Sequence, residues 1–567
     1  MRTSLLPWAV VLGALGTLVH ASDAPLWATD GALLGTDEAG AWTGQISRAL
    51  ASLLHVLPLG SLTLRSTLLG AVASGLCAGL LWQLTVDLLG RGEGRPKMDA
   101  WLALAAALGV VFSVPWMTDA TVAAGGAAPR VLPGLVLWAL LAGPKRSRPS
   151  LVTHPLTLGA LFGITLGESP WVGCAVLVIG LVSPPFSSRR AAGQFAAAAV
   201  LVTLAVFAPA ALSVSVDDLA HVDVWPREGR FPGLGPLDFI RDVGLFATAG
   251  VVLAAVLGRK ERSLWVPTGV VVLLDVLIPA SASGTSLGTV EGCPARAALH
   301  LLMLASVAPL GALGLRRLLD LALGLGVLAA RQGAALLTVL ALAVSTAGLE
   351  DAHRYLLQTD VSGARAWTSA AFDELPPGAL VLTRTEPVGR RLRAAQMQGE
   401  RPDVLVVRLD RLARPRTLAR ALQAEPALEP LIVDLSLGEP PSERALSVLV
   451  DKRALYVEPG PGWDTRLLKH VEPALPLAAF SPFPLGSSDR LANVEERKAR
   501  IERVFEATQR GVRPDRATQR VLSTGTQLLL SMLEEVGDKQ AGEALLAGTA
   551  PQAAALPSEG TARLAAR

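Results

Sequence analysis

The chain has few charged side chains and few cysteines, and each shortage excludes a class of protein. Only 17% of its 567 residues are charged, whereas soluble globular proteins usually carry about a quarter. The three cysteines, at positions 77, 174 and 293, are too few for a disulfide framework and have no metal-ligand spacing. The net charge of +3 comes without a basic stripe interleaved with aromatic residues, so no nucleic acid is expected as a partner.

Motifs for nucleotides and metals are also missing. Neither GxGxxG nor GxxxxGK(S/T) follows any predicted strand, so the sequence predicts no nucleotide site. One histidine, His221, stands among aspartates in a loop, which is too little to predict a metal site. No sequence pattern identifies a cofactor, so whether the protein uses one is left unknown.

Long apolar runs fill residues 1–350. A bilayer core of about 30 Å needs roughly 20 apolar residues per helix. By this rule the sequence predicts an all-α membrane bundle of about eleven transmembrane helices near 5–21, 62–89, 99–116, 127–143, 152–167, 170–185, 191–214, 242–258, 263–281, 296–315 and 332–349. Residues 1–21 also fit a cleaved secretory signal, although the later spans favour an uncleaved first helix.

The distribution of lysine and arginine predicts the orientation of this bundle. Fifteen of them fall in the loops on the side of Arg2, and seven fall on the other side, at positions 48, 65, 130, 227, 230, 241 and 296. Cytoplasmic loops carry the excess of positive charge. We therefore expect a multi-pass inner-membrane protein with a cytoplasmic N-terminus and a periplasmic C-terminal domain.

Residues 351–567 have the composition of a soluble protein. Helical patterns alternate there with four apolar runs of strand length, which lie at 379–382, 404–407, 431–433 and 454–457. Such alternation predicts βαβ units and a small parallel sheet. We expect a small extracytoplasmic α/β domain at 351–490, a helical segment at 491–547 and a disordered tail at 548–567.

The loops on the predicted outer side carry the carboxylates from which catalysis is expected. The first of them, residues 22–61, contains Asp23, Asp30, Asp37 and Glu38. Long loops in compact proteins are often functional. The alternative is that these residues decorate a solvated loop.

Four further residues are candidates for substrate binding. Asp275 lies in an apolar span, where an ionisable group is either functional or an arginine-paired or protonated structural group. Arg241 begins the eighth span and suits a phosphate, or else snorkels to the interface. Glu168 lies at an outer helix end, and Trp225 lies in the fourth outer loop, residues 215–241.

Three motifs resemble those of a large bacterial family of multi-pass membrane proteins, and they occur in the family's order. Along the chain they are LPLGSLTLR at 57–65, VWP at 224–226 with FIRDVG at 239–244, and ELPPGAL at 374–380 with GERPDV at 399–404. The family is grouped with the protein O-mannosyltransferases, of the GT-C type of glycosyltransferases. The resemblance implies a GT-C-like bundle with membrane lipid as a partner.

The resemblance also implies a reaction. Members of the family take a sugar from a polyprenyl-phosphate carrier and transfer it to an acceptor, which the sequence does not identify as protein or glycan. A carboxylate in the first outer loop serves as general base, and basic groups near the interface hold the lipid phosphate. Asp30 is the nearest match to that base, with Asp23, Asp37 and Glu38 as alternatives.

Three polar signatures of the family are altered in this chain. Its His-Pro-Pro-Gly turn falls on residues 40–44, its Glu-Val-Tyr motif on residues 124–126, and a later histidine near Glu168. The apolar scaffold is kept. Two functions therefore stay open: a divergent glycosyltransferase, or an inactive relative that acts as a scaffold or binding subunit. A transporter is less favoured, because broken helices with several midplane polar residues are not evident.

Overall fold

The computed structural model describes residues 5–21, 43–58, 62–90, 96–121, 126–142, 154–182, 186, 188–213, 229–230, 245–257, 262–278, 280–281, 294–325, 330–358, 362–409, 412, 415–458, 465–509 and 516–553. These residues form two compact units that divide after Leu356. We call them the membrane unit and the C-terminal unit. The predicted boundary, at residue 350, lies inside the helix that connects them.

The membrane unit is built from helices and one short ribbon. In chain order the helices are α1 (Leu6–Ala21), α2 (Gln45–His55), α3 (Leu62–Leu89), α4 (Pro96–Val111), α5 (Val114–Ala120), α6 (Ala128–Ala142), α7 (Pro155–Glu168), α8 (Pro170–Val182), α9 (Arg189–Ser213), α10 (Leu245–Leu257), α11 (Arg262–Leu277), α12 (Pro294–Gly324) and α13 (Ala330–Gln358). Strands β1 (Gly229–Arg230) and β2 (Ala280–Ser281) pair antiparallel.

Each predicted span coincides with a helix or a pair of helices, but the number of crossings is not confirmed. Among the described residues, three helices are long and apolar enough to cross a membrane: Thr67–Leu89, Arg189–Ala208 and Ala295–Gly324. A fourth is Met98–Val111 with Val114–Ala120, if this pair, bent by 60°, counts as one span. The other apolar segments that the structure describes are shorter, such as Pro170–Val182 and Ala335–Glu350. Their 13–16 residues, at 1.5 Å each, extend only about 20–24 Å.

Helices in the membrane unit approach each other closely where glycines face a neighbour. A Cβ on Gly163 of α7 would lie 2.8 Å from the carbonyl oxygen of Ala199 in α9, and a Cβ on Gly250 of α10 would lie 2.3 Å from that of Gly311 in α12. Small residues allow such backbone contacts between membrane helices. Helix α12 is almost wholly buried at the centre, whereas α9 is mostly exposed and presents Val200, Leu201 and Leu204 on its surface.

The C-terminal unit contains a five-stranded sheet and surrounding helices. Its elements are α14 (Ser362–Asp373), β3 (Leu380–Thr383), α15 (Glu386–Met397), β4 (Leu405–Arg408), α16 (Pro415–Ala424), α17 (Glu429–Ser436), α18 (Glu443–Val450), β5 (Leu455–Val457), α19 (Thr465–Leu468), β6 (Val471–Glu472), β7 (Ala478–Phe480), α20 (Ser487–Ala507), α21 (Arg516–Val536) and α22 (Lys539–Ala553).

The strand order is β4-β3-β5-β7-β6. Strand β3 lies between β4 and β5 and is parallel to both, with Leu380 opposite Leu405 and Leu455. The predicted βαβ units and parallel sheet are therefore present, with an antiparallel extension through β7 and β6. All four residues of β3 are buried, as expected for a strand covered on both faces.

One strand predicted from the sequence is wrong. Residues 431–433 belong to α17, where Leu431 is buried and Val433 is half exposed. A three-residue apolar run cannot separate strand from helix by periodicity, and Pro430 in the first turn favours helix. At the other end of the unit, α22 continues to Ala553, six residues into the segment predicted as a disordered tail.

Candidate functional site

Glu168 lies at a sharp break between two helices, at an end predicted to face outward. Helix α7 ends at Glu168, Ser169 is extended, and Pro170 begins α8. Proline lacks the N–H that would continue α7, and it disfavours helical backbone at the preceding residue. The break leaves the carboxylate of Glu168 deeply buried, at 2% exposure.

The carboxylate of Glu168 binds the first turn of α2. It accepts hydrogen bonds from the backbone N–H of Ile46 (2.8 Å) and of Ser47 (3.3 Å), and from the hydroxyl of Ser47. A negative charge at this end satisfies free N–H groups and interacts favourably with the helix dipole. Glu168 therefore replaces the N-cap side chain that Gly44, in a left-handed conformation with φ 74°, cannot supply.

Arg130 lies beside this turn and is 1% exposed. Its guanidinium packs over Gly44, where a Cβ would come within 2.5 Å of Cζ, and Nη1 donates to the hydroxyl of Thr43 at 3.2 Å. Its Nε has no hydrogen-bond partner among the described residues. A buried guanidinium whose acceptor among the described residues is a neutral hydroxyl is costly unless an anion meets its charge. We call Thr43, Gly44, Ser47, Arg130 and Glu168 the Glu168 cluster.

Asp275 lies in a second buried cluster, at the end of α11. Its Oδ1 is 2.6 Å from Nη1 of Arg296, and its Oδ2 is 2.9 Å from Nδ1 of His300. Arg296 also donates to the carbonyl oxygens of Asp275 and Ile278, which are free at the C-terminus of α11. These contacts fit the interpretation of Asp275 as an arginine-paired structural group. A role of Asp275 in substrate binding stays a prediction.

The two clusters meet at the start of α12. The hydroxyl of Ser169 donates to the carbonyl oxygen of Ala295 at 2.6 Å, next to Arg296. Two of the eight predicted site residues, Glu168 and Asp275, are thus brought to one end of the helix bundle. The other six lie outside the described residues: Asp23, Asp30, Asp37, Glu38, Trp225 and Arg241.

Sequence reasoning did not identify the ionisable partners in these clusters, Arg130, Arg296 and His300, as site residues. Arg130 and Arg296 entered only as cations on the outer side, and His300 did not enter at all. A signal was present for the last two: Arg296 and His300 are four residues apart in an apolar run, so they lie on one helix face. In the described part of the chain, no group of three or more His, Cys, Asp or Glu side chains is arranged to hold a metal ion.

The C-terminal unit buries a carboxylate at the carboxyl edge of its parallel strands. Glu458, directly after β5, accepts from the backbone N–H of Arg384 (2.7 Å) and Thr385 (2.8 Å) and from the hydroxyl of Thr385. Burial raises the pKa of Glu458, and these hydrogen bonds and the nearby Arg384 oppose that rise only in part. The carboxylate therefore fills the crevice between β3 and β5, where sheets of this kind usually bind ligands.

One solved structure is similar to the chain over most of its length. It is the crystal structure of ArnT from Cupriavidus metallidurans bound to undecaprenyl phosphate, with a TM-score of 0.50 and 13% sequence identity, and the match covers 81% of this chain and 94% of that chain. No family model matches the sequence, and no curated protein matches it either. The likeness supports a GT-C-like, multi-pass membrane fold, whereas the grouping with O-mannosyltransferases stays a prediction.

Proposed function

We propose that the protein is a membrane glycosyltransferase that takes a sugar from a polyprenyl-phosphate carrier at the outer face of the inner membrane. The observation that carries the proposal is the likeness of fold to ArnT, whose crystal structure holds undecaprenyl phosphate. The acceptor is a hydroxyl group of a protein or glycan. Fold alone does not establish function, so the proposal depends on the groups near the predicted outer helix ends.

The first of these groups is a cation for the donor phosphate. Arg130 is buried, and its Nε has no partner among the described residues. Guanidinium groups bind phosphate in a bidentate, charge-assisted manner. We assign the phosphate of the donor to Arg130, together with Arg241, which the sequence predicts on the same side of the membrane.

The second group is a carboxylate in the first outer loop, with Asp30 as the first candidate. It accepts the proton of the acceptor hydroxyl while that oxygen attacks the anomeric carbon. The bond between the anomeric carbon and the phosphate oxygen breaks, and the polyprenyl phosphate leaves with the bonding electrons. Positive charge from the guanidinium stabilises this leaving phosphate.

The test is turnover by the full chain, purified in detergent, with a panel of polyprenyl-phospho-sugars and acceptor peptides. We expect Asp30→Asn to lower kcat by about 100-fold or more, the usual range for a lost general base. The matched control is Asp87→Asn, because the contact that Asp87 makes among the described residues is with Gln83 of the same helix α3. Full activity of Asp30→Asn, Asp23→Asn and Asp37→Asn would refute the assignment of the base.

A separate measurement addresses the donor. We expect Arg130→Gln to weaken the binding of undecaprenyl phosphate by about tenfold or more, since a charge-assisted hydrogen bond is lost. Binding without turnover across the whole donor panel would favour the inactive relative, a scaffold or binding subunit. Neither binding nor turnover in the wild-type chain would refute the proposed function.

A further inference from the structure

Helix α2 has one face on the protein and one face without protein neighbours among the described residues. Ser47 and Ala51 are buried, and the helix packs against α3, α7 and α9. Leu50 and Leu53, one turn apart, are 44% and 66% exposed, and Val56 just beyond the helix is 81% exposed. An eleven-residue helix of this kind suits the membrane interface, with its apolar face toward lipid. Among the described residues, α2 therefore packs on the rest of the unit through one narrow face, which contains Ser47 and Ala51.

Charged side chains hold α2 at both ends. At its N-terminus the carboxylate of Glu168 binds the N–H groups of Ile46 and Ser47. At its C-terminus Nη1 of Arg65, from the first turn of α3, donates to the carbonyl oxygens of His55 (2.5 Å) and Leu57 (3.1 Å). Each charge has the sign that stabilises its end of the helix dipole.

The C-terminal contact also affects His55. Burial, and then the positive charge of Arg65, lower the pKa of this histidine. A protonated histidine is common at a helix C-terminus, where it interacts with the dipole. Here the guanidinium of Arg65 takes that place, and its charge disfavours the protonated form of His55.

From these contacts we infer that Glu168 and Arg65 are positioning residues that hold α2 and thereby fix the end of the first outer loop. In the sequence, Glu38 precedes Thr43 by five residues, and Asp30, the first candidate for the base, precedes it by thirteen. The backbone N–H of Gly44 adds a bond to the carbonyl oxygen of Gly167 at 3.0 Å. The inference rests on the proposed function, in which this loop carries the general base.

The experiment uses the full chain in lipid nanodiscs and two readouts. Hydrogen–deuterium exchange reports the protection of amides 45–57, and turnover reports kcat and KM for the polyprenyl-phospho-sugar. The variants are Glu168→Ala, Glu168→Gln and Arg65→Gln, with Asp87→Asn as control, because it changes a carboxylate on α3 outside the contacts with α2. Ser47→Ala removes only the hydroxyl bond and serves if Glu168→Ala does not fold.

We expect Glu168→Ala to speed exchange at Ile46 and Ser47 by about tenfold, as for local opening of a released helix end. In the same variant kcat should fall by about tenfold, while KM for the donor stays within about twofold, because the phosphate contact is unchanged. Glu168→Gln should restore part of both, since its amide oxygen still accepts one backbone N–H. Arg65→Gln should speed exchange at the C-terminal end of α2.

The outcomes separate the two proposals. Unchanged protection of amides 45–57 in Glu168→Ala and Arg65→Gln would overturn the positioning role. A parallel loss of donor binding and kcat would overturn it as well, since Glu168 would then act on the donor itself. If the wild-type chain neither binds donor nor turns it over, but α2 still loses protection in both variants, the proposed function fails and the anchoring of α2 stands.

Discussion

The membrane unit and the C-terminal unit both bury ion pairs near helix ends, but the surroundings of those ends differ. In the membrane unit Asp275 at the end of α11 binds Arg296 at the start of α12, and Asp99 in the first turn of α4 binds Arg316. In the C-terminal unit Arg490 in the first turn of α20 binds Asp538, which directly precedes α22. Backbone groups at helix ends lack partners within their helix, and hydrocarbon offers them no water. In the membrane unit, side chains therefore supply the hydrogen bonds that these backbone groups lack.

The two units also differ in how their backbones pack. Glycines bring α7 to α9 and α10 to α12 in the membrane unit, whereas aliphatic side chains such as Leu380, Val406 and Leu455 separate the sheet from its helices in the C-terminal unit. Apolar burial drives the second arrangement. Between membrane helices, close contact replaces that driving force. Four substitutions sharpen this comparison, and they follow from the largest expected effect to the smallest.

The first is Asp275→Ala, which leaves Arg296 buried without its carboxylate. Removing one partner of a buried ion pair costs about 3–5 kcal/mol, and here Arg296 also loses part of its support for capping α11. We expect a large fall in the thermal midpoint of the membrane unit in detergent. Asp538→Ala is the counterpart in the C-terminal unit, and we expect a smaller effect there, because water can reach the released Arg490 in a unit of soluble composition. An equal or larger effect of Asp538→Ala would contradict this distinction between the units.

The second is Gly163→Leu, which places a side chain against the backbone of α9. The new Cβ would lie 2.8–2.9 Å from atoms of Ala199, Thr203 and Val202. Overpacking costs about 1–3 kcal/mol, so we expect early thermal aggregation by size-exclusion analysis. Gly180→Leu in α8 is the matched control, because a Cβ there meets nothing within 4 Å. Equal aggregation of both variants would show that the contact with α9 does not matter.

The third is Glu458→Gln and concerns pH. The pKa of Glu458 is raised in the folded state by burial, so ionisation disfavours folding. The stability of the C-terminal unit should therefore fall as the pH rises from the ordinary value of 4.5 through the folded pKa. Glu458→Gln should flatten this dependence, as measured by the urea midpoint for protection of 379–383 in the intact chain. An unchanged slope would contradict the assignment.

The smallest effect is expected for Ser442→Ala at the start of α18. The hydroxyl of Ser442 accepts from the N–H of Ala445 at 3.2 Å, with the extended backbone of an N-cap. Loss of such a cap costs about 1 kcal/mol. We expect faster hydrogen–deuterium exchange at amides 443–446 alone. Ser442→Asp should restore protection, because aspartate is as good an N-cap residue as serine.

Much of this fold was predictable from the sequence because its patterns are long. Runs such as 62–89 and 296–315 are apolar over the length that a membrane span needs, and α3 and α12 follow them. Strands β6 and β7, of two and three residues, were not predicted, since segments of that length have no measurable periodicity. The run at 431–433 was mistaken for the same reason.

The candidate site was predicted less well. Glu168 was identified by its place beside Pro170, but its contact with Ser47 joins residues 121 positions apart, and no local pattern contains such a contact. In the sequence, Arg130 looks like any other cation at the start of a span. Its contact with Gly44 is visible only in the structure. Asp275 was found because a carboxylate in an apolar run is unusual, and the same rule applied to His300 would have found its partner.

The glycines of α7 have a mechanical consequence. Gly159, Gly163 and Gly167 follow one another at intervals of four residues and contact α9 near Ala198, Ala199 and Val206. A slide of α9 by one turn, about 5.4 Å, would bring the neighbour of one glycine onto the next, whereas a half-turn slide would drive side chains into backbone. The spacing of these glycines therefore favours positions of α9 along α7 that differ by whole helical turns.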